Sequence, residues 1–468
     1  MWTQGKRLLL TLTLTSAIMA QAHSTLQASS AASRVAEFKL ANGLIVVVVP
    51  DHRAPVVTHM VYYRVGGADE PPGVSGIAHF LEHLMFKSTD KIASGDFSRV
   101  VSRLGGQDNA FTTHDYTGYF QRISKDRLRN VMEMEADRMV NLKLTDQEVT
   151  TERAVIIEER RSRVENNPSS ILAEQMAAAL YQNHPYRIPV IGWMHEMARL
   201  SREDALDFYK RYYAPNNAIV VVTGDVVPSE VKTLVEATYG AVKPSAAIKP
   251  RVRPQEPEHR APRRLELKDP RAGNASVRRY YLAPAYTKTA PGEAEALYLL
   301  MKIAGQGGTS RLYQKLTVEE KIAASAGGWY SGFGLDSGSI GVYATAAQGG
   351  SLDKVEAAID QVLHELREKG VTAAELDRAK KAFIADFVYE SDNQSALARR
   401  YGEGLVLGLT IAQINAWPEA IAKVTAEQVK EVAVRYLDIR RSVTGTLIPV
   451  APEAESRAAP KPATSNKS

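Results

Sequence analysis

Six prolines interrupt a basic segment near the middle of the chain, between Lys243 and Arg271. Proline has no backbone N–H and is disfavoured inside a helix or a central strand, so we expect no single regular element to span this segment. A chain of 468 residues is also long enough for more than one core. We therefore predict two domains, at residues 35–245 and 263–448, joined by a linker at residues 246–262.

The proline-rich segment carries nine Lys or Arg residues against four Asp or Glu residues, a local excess of +5. One interpretation is a strip that binds anions or nucleic acid. The alternative, a solvated linker, is favoured because prolines break up the segment and no aromatic residue offers a stacking surface. We expect no nucleic-acid partner.

The order of predicted elements is similar on the two sides of the linker. The first side begins with two strands joined at Asn42-Gly43, a strong hairpin signal, and continues with a strand, a helix, a strand pair, further helices and a buried strand. The second side has a strand, a long helix, a strand pair, amphipathic helices and a closing strand. Two α+β halves in similar order indicate a duplication.

The N-terminus has the layout of a secretory signal peptide. Lys6 and Arg7 precede an apolar run, which ends in a small-x-small cleavage site, Ala20-Gln21-Ala22. A membrane anchor is the alternative, but the run is shorter than the ~20 residues that a spanning helix needs, and no later stretch is long and apolar enough. We predict a signal peptide at residues 1–22 and disordered segments at residues 23–34 and 449–468. The mature protein is expected to be exported, with a bacterial periplasm fitting best, and to have no membrane span.

Two histidines and a glutamate interrupt an otherwise apolar or small stretch, GIAHFLEHLMF, at residues 76–86. Buried polar groups are costly unless they find partners. His79 and His83 are four residues apart, so their imidazoles converge on one face of a helix, for which Ser75 is the predicted N-cap. Glu82 lies next to that face. Two imidazoles suit zinc and the carboxylate is placed to act on a bound water, whereas the alternative is two structural histidines and a surface glutamate.

A catalytic zinc ion usually takes a third protein ligand. The chain contains no cysteine, which excludes cysteine-based metal sites and disulfides. The helix predicted for TTERAVIIEERRSRVEN offers Glu152, Glu158 and Glu159. Glu152 and Glu159 share a face because they are about two turns apart, and Glu158 points about 100° away from Glu159. Alternatively, all three glutamates are solvated among the neighbouring arginines.

These residues resemble a known family. The His-x-x-Glu-His order, followed after 75 intervening residues by a glutamate in ERAVIIEE, resembles the pitrilysin/insulinase family of zinc peptidases, the inverzincins. GGQDNAFTTHDYTGYF, HPYRIPVIG and YYAPNNAIVVVTGDV are also similar to that family, over about residues 36–449. The resemblance implies a zinc metalloendopeptidase for unfolded or short peptides. It also implies two homologous α/β-sandwich halves, each a mixed, mostly antiparallel sheet with helices packed on it, that together form half of a clamshell.

The resemblance assigns roles to five residues of the metal motif. His79, His83 and Glu159 match the metal ligands, which implies one zinc ion per chain. Glu82 matches the catalytic general base. Glu152 matches a second acidic residue that supports the ligands.

The strand that contains Asn109, Ala110 and Phe111 matches an edge with which the family pairs extended substrate. This role makes independent physical sense, because an exposed strand edge binds a peptide by adding it as a strand. The alternative for Asn109 is ordinary strand or turn chemistry.

One departure from the family pattern concerns the C-terminal half. Single-chain members carry an Arg and a Tyr, seven apart, that hold substrate at the metal, and here those positions fall on Thr317 and Ala324. Arg311 and Tyr313 lie nearby in a stretch that resembles a different, structural element. The family also has split members, so the resemblance implies a homologous partner subunit that carries the Arg and Tyr, or a homodimer.

Two other functions are compatible with these residues. The missing Arg and Tyr favour a zinc- or peptide-binding subunit that is inactive without its partner chain, whereas an intact Glu82 favours an enzyme. A peptidase that processes specific precursors is the further alternative, because specificity depends on the shape of the chamber.

Overall fold

A computed structural model of the chain describes residues 35–451. The predicted signal peptide and the predicted disordered N-terminus of the mature chain lie outside the described residues, as does the tail from residue 452. Pro449, which we assigned to the disordered tail, is instead the last residue of a strand.

The first sheet has six strands in the order β1-β2-β6-β3-β5-β4. Only the β2–β6 pair is parallel, and the Asn42-Gly43 turn joins β1 to β2 as predicted. Its strands are β1 (Ala36–Lys39), β2 (Ile45–Pro50), β3 (Val56–Tyr63), β4 (Gln107–Thr112), β5 (Thr117–Ser124) and β6 (Ala218–Gly224).

The second sheet has five strands in the order β7-β11-β8-β10-β9, of which only β7–β11 is a parallel pair. Its strands are β7 (Arg263–Asp269), β8 (Ser276–Ala283), β9 (Ala323–Ser331), β10 (Gly338–Ala346) and β11 (Ser442–Pro449). This order repeats the order β2-β6-β3-β5-β4 of the first sheet strand for strand. The predicted α+β fold, with two similar halves and mixed, mostly antiparallel sheets, is confirmed.

Helices of eight or more residues cover both sheets. In chain order within residues 35–451 they are α1 (Ile77–Leu84), α2 (Asp96–Arg103), α3 (Leu128–Arg138), α4 (Asp146–Arg160), α5 (Pro168–Leu180), α6 (Arg202–Tyr212), α7 (Pro228–Thr238), α8 (Glu293–Gly305), α9 (Leu352–Lys369), α10 (Ala373–Glu390), α11 (Gln394–Val406), α12 (Ile411–Lys423) and α13 (Ala426–Tyr436).

Alternate residues of the central strands enter two different cores. In β3, Val61 and Tyr63 face a core built with the helices of the N-terminal half, whereas Met60 and Tyr62 face the opposite side of the sheet. This period of two is what a strand buried on both faces requires. The strands therefore need a second cover on the face that their own helices leave open.

Each half supplies that second cover to the other half. Helix α11, from the C-terminal half, packs on β3 and β6 of the first sheet, and α5, from the N-terminal half, packs on β11, β7 and β8 of the second sheet. Both contacts are close. A Cβ on Gly402 of α11 would lie 2.0 Å from the Tyr62 ring, and one on Gly445 of β11 would lie 2.3 Å from the sulfur of Met176 in α5.

The proline-rich segment is not simply a solvated linker, and the favoured interpretation is wrong for its two central arginines. The Arg253 side chain is only 6% exposed and pairs with Asp69 at 2.9 Å and with Asp336 at 3.2 Å. It also pairs with Asp115, and Arg251 pairs with Asp69. Carboxylates from both halves converge on the segment, which the charge count of the segment alone could not reveal.

Among residues 35–451, no single helix is long and apolar enough to cross a membrane. Helices α11 and α12 pass that test only as a pair, with a bend of 106° between them.

We predict that Gly402→Ala lowers the Tm of the full chain. An alanine in a helix interior is normally favourable by about 1 kcal/mol, but here its methyl group would overlap the Tyr62 ring, and overpacking of this kind costs about 1–3 kcal/mol. Thermal unfolding followed by circular dichroism measures the change. Gly273→Ala, with open space around its Cβ, is the control. A Tm for Gly402→Ala equal to or above that of the control would contradict the close packing of α11.

Candidate metal centre

Helix α1 begins after Gly76, and the predicted cap at Ser75 is wrong. The Ser75 hydroxyl instead accepts a hydrogen bond from the backbone N–H of Trp193, at 2.9 Å. The carboxylate of Glu70 caps the helix, because it accepts from the N–H groups of Gly76 and Ala78, both at 2.9 Å. A carboxylate is well suited to this position at the positive end of the helix.

The start of α1 and the end of α4 are anchored on the same loop. Gly76 has φ of +87°, and a Cβ there would lie 2.6 Å from the carbonyl oxygen of Ile191. Arg160, the last residue of α4, donates to the carbonyl oxygen of Gly192 at 2.7 Å. The loop therefore fixes the relative position of the two helices that carry the candidate ligands.

The three predicted ligands converge. His79 Nε2 lies 3.5 Å from Glu159 Oε2, and His83 Nε2 lies 3.4 Å from the same oxygen. One ligand atom from each of the three residues lies within 4.8 Å of the other two. Within residues 35–451, no other group of three or more His, Asp or Glu residues is arranged in this way.

The distances from Glu159 Oε2 to the two histidine nitrogens, 3.5 and 3.4 Å, are close to those around a zinc ion. Ligand atoms at about 2.0–2.1 Å from a tetrahedral ion stand roughly 3.3 Å from one another. Glu159 Oε2 is buried and has no hydrogen-bond partner among the described residues. A buried carboxylate oxygen without a donor is costly, and a cation between it and the two imidazoles would satisfy it.

A further layer of side chains orients the candidate ligands. Glu152 accepts from His83 Nδ1 at 2.8 Å and pairs with Lys87 at 2.6 Å, so the Nε2 atom of His83 is turned toward Glu159. Arg163 pairs with Glu159 Oε1 at 2.7 Å, which leaves Oε2 for the cluster. Such second partners are a general feature of metal sites.

The α4 helix separates its glutamates as its period predicts. Glu152 and Glu159 lie on the face toward α1, whereas the Glu158 side chain is 69% exposed and pairs with Arg161. Glu158 is therefore not brought to the site.

Burial and neighbouring charges shift the pKa values of both histidines. Burial, with a further effect from His83, lowers the pKa of His79 to about 4. Burial also lowers the pKa of His83, but the carboxylates of Glu152 and Glu159 outweigh it and raise that pKa to about 9. The lowered pKa favours the neutral form of His79, which can act as a ligand. The raised pKa of His83 favours its charged form, because two carboxylates of α4 lie next to it.

Glu82 lies beside the cluster without being part of it. It is 8% exposed, and its Oε2 accepts a hydrogen bond from the Thr112 hydroxyl at 2.5 Å. Burial raises the pKa of Glu82 above its ordinary value, although the bond from Thr112 opposes the shift. Thr112 was not predicted from the sequence. Its only signal was its position directly after the predicted edge strand.

The strand that contains Asn109, Ala110 and Phe111 is β4, which lies at the edge of the first sheet. The Ala110 N–H donates to the side chain of its neighbour Asn109 at 2.8 Å. No strand pairs with the outer side of β4 among residues 35–451. Since β4 ends at Thr112, the free edge leads directly to Glu82.

The corresponding region of the C-terminal half has no such cluster among the described residues. Arg311 pairs with Glu375 at 2.7 Å and donates to the Gly370 carbonyl, as a structural residue does. Thr317 has a buried hydroxyl without a hydrogen-bond partner among the described residues, and Ala324 lies in β9.

Two family profiles match the chain. One, described as insulinase (peptidase family M16), covers residues 45–192, and the other, described as the peptidase M16 inactive domain, covers residues 199–383. The zinc protease PqqE of Helicobacter pylori is 32% identical over 399 residues, which are 84% of this chain and 88% of that protein. The chain belongs to peptidase family M16. The residues of the candidate metal centre lie in the part that matches the insulinase profile.

Solved structures of M16 proteins have the same fold. The crystal structure of a protease from Helicobacter pylori matches with a TM-score of 0.84 and 31% identity, over 89% of this chain and 99% of that chain. The periplasmic protease PqqL from Escherichia coli matches with a TM-score of 0.75 and 19% identity, over 89% of this chain but only 48% of that chain. This M16 chain therefore corresponds in fold to about half of PqqL.

We predict that Gly76→Ala lowers the Tm more than Gly73→Ala does. Both glycines have a positive φ, at which alanine is strained by about 1–3 kcal/mol. Only at Gly76 would the new methyl group also meet a backbone carbonyl, whereas at Gly73 nothing lies within 4 Å. Thermal unfolding of the two variants is the measurement. Equal losses would mean that the contact with the 191–192 loop does not position α1.

Proposed function

We propose that the chain is a zinc metalloendopeptidase that hydrolyses unfolded or short peptides. The observation that carries this proposal is the arrangement of four side chains. Three of them converge on one point, and Glu82, next to them, is held by Thr112 and takes no part in the cluster. A purely structural metal site would need no additional carboxylate, such as that of Glu82, beside its ligands. The names of the M16 relatives as zinc proteases support the proposal.

We assign one zinc ion per chain to His79, His83 and Glu159, with Glu152 as the residue that orients His83. When bound, zinc would polarise the scissile carbonyl and lower the pKa of a water molecule. His79 would present a neutral nitrogen, His83 would lose its proton when the ion binds, and Glu159 would present one carboxylate oxygen.

Glu82 acts as the general base in this mechanism. Thr112 engages its Oε2, which leaves Oε1 to take the proton of the attacking water and to return it to the leaving amine. The raised pKa of Glu82 brings the carboxyl closer to the range in which it can do both. Burial is the cause of that shift, so the same apolar helix that holds the histidines also tunes the base.

The substrate backbone is assigned to the free edge of β4. A peptide added there as a strand would accept from Ala110 N–H in place of the Asn109 side chain. Because β4 ends at Thr112, the same peptide would lie beside Glu82. Only an extended chain can pair in this way, which is why folded proteins are poor candidates for the substrate.

A homologous partner chain, or a second copy, would complete a closed chamber as the other half of a clamshell. Thr317 and Ala324 cannot supply the Arg and Tyr of the family pattern, and PqqL, of similar fold, is about twice as long. The absence of this Arg and Tyr also favours a second candidate function, a zinc- or peptide-binding subunit that is inactive without its partner. Processing of specific precursors remains a narrower form of the first proposal.

We also propose that the mature protein is exported to a bacterial periplasm. The support is the sequence of residues 1–22, with its basic start, apolar run and small-residue cleavage site.

The full mature chain is expected to cleave an unstructured fluorogenic peptide, and a zinc chelator should abolish that cleavage. Glu82→Gln should lower kcat/KM by at least ~100-fold, because the amide cannot take the proton. Its zinc content should stay unchanged. Glu158→Gln, an exposed neighbour of the cluster, is the matched control.

Turnover by Glu82→Gln at the control rate would refute the assignment of the base. Absence of cleavage by the wild-type chain, with zinc bound and the fold intact, would favour the inactive subunit instead.

His83→Ala should lose the bound metal. Elemental analysis of the purified variant should find well below one zinc per chain, because the site loses one of three ligands. His195→Ala, whose side chain is 73% exposed, should keep wild-type zinc content. Unchanged zinc in His83→Ala would remove His83 from the ligand set.

A further inference from the structure

A cavity of about 770 Å³ lies between the two halves, beside the proline-rich segment. The N-terminal half contributes Arg64 to its wall, the segment contributes Lys249 and Arg251, and the C-terminal half contributes Lys288. The end of α11 closes it with the apolar side chains of residues 405–407. The cavity has the size typical of a small-molecule site.

The charged side chains of the wall are nearly all positive. They are Arg64, Lys249, Arg251, Arg253 and Lys288, against the single carboxylate of Asp336. Arg253 is neutralised by the aspartates that surround it. Arg251 also pairs with Asp69, at 3.0 Å. The other three cations, Arg64, Lys249 and Lys288, face the cavity without an ion pair among the described residues.

Arg64 is the most informative residue of this wall. Its side chain is half-buried, yet it makes no ion pair with any residue between 35 and 451. Burial and the nearby Arg251 lower the pKa of Arg64, as expected for two guanidinium groups held close together. Asp69 pairs with Arg251 but not with Arg64. A partly buried guanidinium without a counter-ion is costly, and an anion bound in the cavity would compensate its charge.

Two exposed lysines add positive charge at the rim of the cavity. Lys249 and Lys288 are exposed and form no ion pair among the described residues. A ligand that enters from solvent would meet these two lysines first and the two arginines deeper in. Guanidinium groups bind oxyanions through paired hydrogen bonds, which suits phosphate and carboxylate groups alike.

We propose that this cavity binds a small, multiply charged oxyanion, such as a polyphosphate or a polycarboxylate. The bound anion would contact both halves and the segment between them, and would thereby stabilise their arrangement. The basic segment alone was considered as an anion-binding strip in the sequence analysis. The proposed site differs because it also requires Arg64 of the N-terminal half. This site is independent of the metal centre and of the proposed peptidase function.

Calorimetric titration of the full mature chain with inorganic triphosphate, and separately with citrate, tests the proposal. Saturable binding of at least one of these anions, with one site per chain, is expected. Arg64→Gln should weaken it roughly ten- to a hundredfold, the usual effect of losing one charge-assisted interaction. The double variant Lys369→Gln/Lys423→Gln, with two exposed lysines outside the cavity, should bind like the wild type.

The variant His83→Ala distinguishes binding in this cavity from binding at the metal centre. Both anions also bind zinc, so this variant must retain anion binding. Loss of binding in His83→Ala would place the anion at the metal and overturn the proposal.

Two variants of the cavity wall test whether the loss of binding comes from the charge itself. Lys249→Gln, at an exposed position, should weaken anion binding without any effect on folding. The Tm of anion-free Arg64→Gln should equal or exceed that of the wild type, because the variant removes the repulsion from Arg251.

Equal affinities of the wild type, Arg64→Gln and Lys249→Gln would overturn the proposal. So would the absence of saturable binding of either anion by the wild type. A response to triphosphate alone would identify a phosphate site, and a response to citrate alone a carboxylate site.

Discussion

The reciprocal exchange of α5 and α11 between the halves holds the molecule together. Each central sheet is apolar on both faces, and the helices of its own half cover only one of them. The exchanged helices bury the other faces, with Gly402 against Tyr62 and Met176 against Gly445. Because apolar burial is the main driving force of folding, neither half can be stable in this form without the helix from the other. The buried Arg253 and its aspartates reinforce the same boundary.

The candidate metal centre depends on the relative position of two helices. Helices α1 and α4 each carry part of the site, and both are anchored on the 191–192 loop. Two carboxylates of the site have partners: Glu152 pairs with His83 and Lys87, and one oxygen of Glu159 pairs with Arg163. The other oxygen of Glu159 is buried near two imidazole nitrogens and has no hydrogen-bond partner among the described residues. This unsatisfied atom is the observation that favours a bound cation there.

Local patterns predicted well what depends on neighbours in sequence. The Asn42-Gly43 hairpin, the strand pair at residues 107–124 and the separation of Glu158 from the face of Glu152 all follow from turn chemistry or helical period. The cap of α1 was wrong because its acceptor is a carboxylate outside the helix, Glu70, which no capping pattern includes. The basic segment was misread because the carboxylates that neutralise it lie in distant parts of the chain.

The amino-acid sequence was sufficient to predict which side chains form the candidate metal centre. Two histidines at i and i+4 lie on one face of any helix that forms there, with Glu82 beside them, since helical spacing is a local property. It was also sufficient for the duplicated α+β order. Only the tertiary structure shows that Glu159, among the three glutamates of α4, lies with the two histidines, and that Thr112 contacts Glu82. Only the tertiary structure shows the exchange of α5 and α11 and the burial of Arg253. These depend on contacts between residues far apart in the chain, and a period or a turn signal carries no information about such contacts.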